Sequence, residues 1–196
     1  MNRIKYIINF IETLKVCQIS HIVDLFYSNY QNKYVALVNA QKKVTAMTKK
    51  GILKRKRNNI NSKYYYYLDK EPKQLQHNLL RTELYVRLCQ LYGIDNISIE
   101  TKHTMEGCWP DAYISIKHGK RLYMFYVEVH ISNNQFNIEK YETLDKAAKN
   151  NIFPYLLIIT DKQLQLKTNL EYYVIPESME DLKSILPIGK SIFNVR

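Results

Sequence analysis

The chain has 196 residues and carries 29 Lys/Arg against 18 Asp/Glu, a formal net charge of +11. That length allows one generous domain or two small ones, and no run approaches the roughly 20 apolar residues that cross a bilayer. No membrane-spanning helix is expected on that count; with no small-residue cleavage site after Met1-Asn2-Arg3-Ile4-Lys5, a soluble, cytoplasmic protein is expected.

Cys17, Cys89 and Cys108 are odd in number and widely spaced. They fit neither a disulfide framework nor a zinc site and read as reduced thiols. The charge is not evenly spread: residues 1–73 hold 15 Lys/Arg against 4 Asp/Glu, whereas residues 74–196 hold 14 of each. A basic part joined to a neutral part points to a polyanion-binding module beside something with another task, because phosphate neutralisation supplies most sequence-independent nucleic-acid affinity. A solubilising basic face is the competing reading.

Ile4, Ile7, Ile8, Ile11 and Leu14 recur at helical spacing and predict a first helix. A short second helix follows around His21–Phe26. Asn32-Lys33-Tyr34 opens a third, with Val38, Val44 and Met47 as its stripe and Lys49-Lys50-Gly51 as a basic last turn and glycine stop. Next comes a hairpin: Ile52 to Arg57, an Asn-rich turn at 58–62, and Lys63-Tyr64-Tyr65-Tyr66-Tyr67-Leu68. Three helices and a basic hairpin resemble a winged helix-turn-helix, in which the third helix enters the major groove and the wing touches flanking backbone or minor groove. That resemblance makes double-stranded DNA the expected partner. Asn32, Lys33, Tyr34, Gln41, Lys42 and Thr45 are the helix candidates, and Lys54, Arg55, Lys56, Arg57 and Lys63 the wing candidates. The tyrosine run also admits a DNA-nicking nucleophile, but its period of two favours strand packing and no metal-spaced His pair accompanies it.

Asp69-Lys70-Glu71-Pro72-Lys73 is polar, ends near a proline and sits where the charge balance changes, so it is the predicted linker. The expected domains are residues 1–70 and residues 74–196. The second opens with a helix from about Gln74 to Tyr92, with Leu80, Leu84, Leu88 and Leu91 as its stripe, Glu83 just off it and Gly93 as its stop. Ile97-Ser98-Ile99-Glu100 is a short strand. Two strands follow, one opened by Trp109-Pro110-Asp111-Ala112 and one running from Leu122 to His130, joined by a tight turn at Gly119. Asp111 and Glu128 thereby fall on neighbouring strands. Period-two alternation sets Tyr126, Glu128 and His130 on one face, expected to be the polar one, and Phe125, Val127 and Val129 on the other. Adjacent carboxylates repel unless a proton or a hard cation lies between them. The competing reading makes Asp111 a turn residue and Glu128 a solvated strand carboxylate. A helix with Phe136, Tyr141, Leu144 and Ala148 inward, a continuous apolar strand at 154–160 buried on both faces, a strand at Tyr172–Ile175 and a helix from Met179 to Ile185 complete the chain. The class is α/β (α+β).

A helix glutamate, Pro110-Asp111-Ala112 at a strand start and Val127-Glu128-Val129 near the end of the next, in the order αβββαβ, resemble the PD-(D/E)xK restriction-endonuclease-like fold. With the basic module ahead of it, and with Leu75-Gln76-His77-Asn78-Leu79 and Ile138-Glu139-Lys140-Tyr141, the chain resembles the replication-relaxation family of plasmids, phages and conjugative elements. The resemblance spans roughly residues 10 to 160 and implies nicking or relaxation of DNA in mobilisation or replication. It implies Asp111, Glu128 and Glu83 as ligands of Mg2+, or Mn2+, which polarises the scissile phosphate and activates water. The chain departs from the pattern at Glu128-Val129-His130, where histidine replaces the strand lysine. Lys140 and His130 are the candidates to fill that role. Lys140 directly precedes Tyr141, and consecutive helix positions point about 100° apart. The alternatives are a catalytically inactive regulator or replication accessory that keeps the fold for dimerisation or DNA contact, with a homodimer on paired half-sites as the expected assembly, and an RNA-binding protein that stacks bases on its tyrosines.

Overall fold

The computed structural model describes residues 3–102, 108–147 and 153–188; the predicted helix position Ala148 lies outside them. The protein is mixed α+β, with two sheets and two compact units, Met1–Gln90 and Leu91–Arg196.

In the first unit, α1 (Arg3–Leu14), β1 (Cys17–Gln18), α2 (Ile19–Phe26) and α3 (Lys33–Lys49) precede the hairpin strands β2 (Lys54–Lys56) and β3 (Tyr65–Tyr67). The buried stripe of α1 is Ile7, Phe10, Ile11 and Leu14, with Ile4 and Ile8 at its edge. That of α3 is Ala36, Ala40, Val44 and Met47; the predicted Val38 is half-buried, since the stripe runs through Ala36 and Ala40 instead. After α3, Gly51 takes φ +71° and Ile52 N–H donates to Met47 O at 3.0 Å, a wrap-around stop that a side chain would strain.

The first sheet has the order β1-β3-β2, all antiparallel. β1 is too short for any periodicity and was not predicted. It forms because Cys17 pairs with Tyr66 and Gln18 with Tyr65, which buries both tyrosine rings. Tyr66 is thus a packing residue of the central strand, in line with the strand-packing reading of the tyrosine run.

α4 (Leu75–Tyr92) was expected to open the second domain, yet the boundary between units falls near its end. Hydrogen bonds explain the difference. Arg81 donates to Leu14 O at 3.3 Å, Thr82 Oγ1 lies 2.9 Å from Val16 O, and Tyr85 packs on Phe10 with centroids 6.1 Å apart. The predicted linker is likewise held to the first unit: Lys54 Nζ donates to Asp69 O at 2.6 Å, while Lys56 Nζ and the Tyr65 hydroxyl donate to Glu71 at 2.8 and 2.6 Å. Along α4 the buried apolar side chains are Leu84, Val86, Leu88 and Cys89; Leu91, predicted on the stripe, is exposed.

The second unit is built on a five-stranded sheet, β4 (Ile97–Glu100), β5 (Ala112–His118), β6 (Arg121–Val129), β7 (Tyr155–Ile159) and β8 (Tyr172–Ile175), in that spatial order. β4, β5 and β6 pair antiparallel; β6, β7 and β8 pair parallel. Gly119 at φ +61° closes the β5–β6 hairpin. A parallel pair needs a crossover, and α5 (Glu139–Ala147) lies in the connection between β6 and β7. β7, paired on both edges, buries Leu156, Leu157, Ile158 and Ile159, as its unbroken apolar run predicts. The face of β6 that carries Glu128 is not the open polar face expected. Tyr126, Leu156 and Ile158 on that face form a core with Phe136, Tyr141 and Leu144 from α5 and its approach. A last helix, α6 (Leu182–Ile185), begins later than predicted, because Met179 and Asp181 have φ of 56° and 55° and cannot be helical.

Candidate functional site

β5 begins at Ala112, directly after Asp111, and Ala112 pairs with Val127. This brings the Asp111 carboxylate across to the end of β6, where Oδ2 accepts the Val129 N–H at 2.8 Å. Glu128, the intervening residue, points to the α5 side. Its Oε1 accepts hydrogen bonds from both Lys140 Nζ and the Tyr141 hydroxyl. Consecutive residues of one helix reach a single oxygen because their stems differ. Tyr141 is fully buried and its ring stands against Tyr126, whereas the longer lysine folds back with Nζ over the Tyr141 ring, 4.9 Å from its centroid. Lys140 and Tyr141 therefore meet on Glu128 Oε1, while Asp111 is anchored at the next residue of β6, its charge close enough to raise the Glu128 carboxyl.

The Glu128 side chain is only 13 % exposed. Burial pushes its carboxyl above the usual carboxylate range; the bonds from Lys140 and Tyr141 pull it back down, and the charge of Asp111 adds to the upward push. Tyr141 is driven upward by burial and by the Glu128 charge, so it remains a donor. The thiol of Cys108, buried in the same cluster, is also raised by desolvation. All three cysteines are free and buried.

The other candidates are placed differently. His130 continues β6, its N–H donates to Ile159 O at 2.9 Å, and its ring stands edge-on to Phe136 with centroids 5.4 Å apart. Glu83 belongs to the first unit, where its Oε2 accepts from His21 Nε2 at 2.9 Å and its Oε1 from Arg87 Nε at 2.6 Å. Gln18 N–H donates to His21 Nδ1 at 3.1 Å, which fixes the imidazole as the Nε2–H tautomer that Glu83 needs. The His21 bond and Arg87 together hold the Glu83 carboxyl down at about 2. Its role in the structure is to pair a buried histidine. Among the described residues, no group of three or more His, Cys, Asp or Glu side chains is arranged to hold a metal. The Asp111 charge acts on Glu128, and a hard cation that keeps several waters needs only one or two protein carboxylates.

On α3, Lys33, Tyr34, Gln41, Lys42 and Thr45 are exposed, Tyr34 by 73 %. Asn32 is the exception among the helix candidates: its Oδ1 accepts from Tyr34 N–H and Val35 N–H at 2.9 and 3.3 Å and caps the helix. In the hairpin, Lys54 and Lys56 are turned toward Asp69 and Glu71. Arg55 and Arg57 instead flank the Tyr64 ring at 4.7 and 5.0 Å, and Lys63 is exposed. Tyr141 and His21 were missed as polar residues: both read as core or helix-face positions, and only the partner across the fold reveals their hydrogen-bonding roles.

No helix among the described residues is long and apolar enough to cross a membrane. Comparison with protein-family models, with curated proteins and with solved structures finds no match to this chain.

Proposed function

We propose that the protein binds duplex DNA through its first unit and nicks or relaxes it at the Asp111–Glu128–Lys140 site of its second, with Mg2+ or Mn2+. The observation that carries this reading is Lys140 on the Glu128 carboxylate, with the Asp111 side chain anchored beside it. The strand lacks the lysine of a PD-(D/E)xK site, and the helix supplies one to the same carboxylate. Element order supports the fold half of the reading: three helices and a hairpin whose second strand also pairs with β1 suit a winged helix, and the βββαβ run of the second unit suits the nuclease-like core, although the helix α4 that precedes it in the chain packs in the first unit.

A bound divalent cation supplies Lewis-acid polarisation of the phosphate and a more acidic water. Asp111 and Glu128 offer the oxygen ligands. Lys140, already at the carboxylate, brings a positive charge to where negative charge develops on the phosphoryl oxygens. Tyr141 orients Glu128 by holding Oε1.

The expected result is Mg2+- or Mn2+-dependent nicking of supercoiled plasmid that Asp111→Ala abolishes while DNA binding persists. A wild-type protein that binds duplex and leaves the plasmid intact with both cations removes the enzymatic reading. What then stands is a winged-helix regulator or replication accessory that uses the second unit for contact or dimerisation.

A further inference from the structure

A second basic feature of the first unit lies apart from the hairpin. Arg3 at the start of α1, Tyr27 and Tyr30 after α2, and Asn39, Lys42 and Lys43 of α3 line one pocket of about 290 Å3. Among the described residues that line it none is acidic, so three cations face one space without a counter-charge. The arrangement is held by packing. The Arg3 guanidinium lies 4.7 Å from the Tyr27 ring centroid and 5.7 Å from that of Tyr30, and the two rings are themselves 5.8 Å apart. Tyr27 is buried and its N–H closes onto Val23 O at 3.0 Å, so the platform under the arginine is fixed.

Like charges gathered at one place repel, and a stacked guanidinium keeps its outward N–H groups for a planar or tetrahedral oxyanion. On α3, Asn39, Lys42 and Lys43 are spaced at i, i+3 and i+4 and share a face; Lys42 also borders the exposed face of Gln41 and Thr45. An anion in the pocket is therefore next to whatever lies along that face. We infer that this pocket is a phosphate site, filled by a backbone phosphate of the duplex that α3 contacts. The inference rests on the DNA-binding half of the proposal and is independent of cleavage.

The test is duplex binding by the full chain across a range of salt concentrations, followed by anisotropy of a labelled oligonucleotide. Each phosphate contact contributes about 0.9 to the slope of log affinity against log salt. Arg3→Gln with Lys43→Gln should flatten the wild-type slope by about that amount and weaken binding equally for unrelated sequences, and Arg3→Lys should restore most of the slope. Should the double variant lose its helical circular dichroism, Lys43→Gln alone, at a half-buried helix position, carries the measurement. An unchanged slope in a folded variant overturns the assignment. So does inorganic phosphate binding, at constant ionic strength, that the substitutions remove while the DNA slope stays at the wild-type value. A wild type that fails to bind duplex at all sinks the DNA-binding reading itself, a result distinct from either of these.

Discussion

At the scale of single residues, the site turns on one carboxylate oxygen shared by two donors. Glu128 Oε1 takes a charged donor from Lys140 and a neutral one from Tyr141, and charge-assisted bonds are roughly twice as strong as neutral ones. Removing the lysine charge should therefore be felt more in chemistry than in folding, since Tyr141 still satisfies the oxygen. Lys140→Met is expected to reduce metal-dependent nicking by about 100-fold, the scale of losing one preorganised positive group, with a melting temperature close to wild type. Tyr141→Phe should show the reverse order of effects: it removes the fully buried hydroxyl donor from Glu128 Oε1 while the lysine charge remains. Equal loss of nicking in both variants, with equal loss of stability, would make Lys140 only a structural partner. That Asp111 and Glu128 fall at neighbouring strands was legible from strand order; that the Glu128 face packs against α5 was not. Lys140 was legible only as a candidate, because nothing in a helical wheel says that a lysine will curl over the neighbouring ring.

Among elements, the hairpin shows how partners divide a run of like charges. Lys54-Arg55-Lys56-Arg57 reads as four equivalent cations. In the fold, β-strand alternation sends the two lysines to the 69–71 segment and the two arginines to the Tyr64 ring. Arg55→Ala with Arg57→Ala should thus cost more duplex affinity than Lys54→Ala with Lys56→Ala, measured at one salt concentration; the opposite ranking would remove the hairpin arginines from the interface. The same partition explains where the sequence reading stopped. Asp69–Lys73 has the composition of a linker, and only the acceptors it offers to Lys54, Lys56 and Tyr65 tie it to the hairpin. Asn32, a DNA-contact candidate at the opening of α3, is exposed and also caps the helix, a role that contributes about 1 kcal/mol to a helix. Strands β4, β5, β6, β7 and β8 were readable because each is long enough to show alternation or an apolar run; β1, two residues long, shows neither.

Across the whole molecule, the two units carry partly buried carboxylates with opposite responses to acid. Glu83 in the first unit is held at about 2, below the roughly 4.3 of an unfolded glutamate. The unfolded chain therefore takes up this proton first, and the stabilisation that Glu83 provides, complete above that unfolded value, is lost as pH falls toward about 2. Glu128 in the second unit lies above its unfolded value. The native state protonates first there, so its contribution is unfavourable above the raised value and vanishes on acidification. Hydrogen exchange resolved along the chain should accordingly show amides of the first unit losing protection between about pH 5 and pH 3 faster than those of the second. Glu83→Gln keeps an acceptor for His21 Nε2–H but removes the titration, so the gap in stability between wild type and variant should narrow steadily over the same range. If the two proteins run parallel at every pH, the His21–Glu83–Arg87 group is not what makes the first unit acid-sensitive, and the origin must be sought in other lowered carboxylates of that unit, beginning with Glu71, whose carboxyl is held down by the bonds from Lys56 and Tyr65.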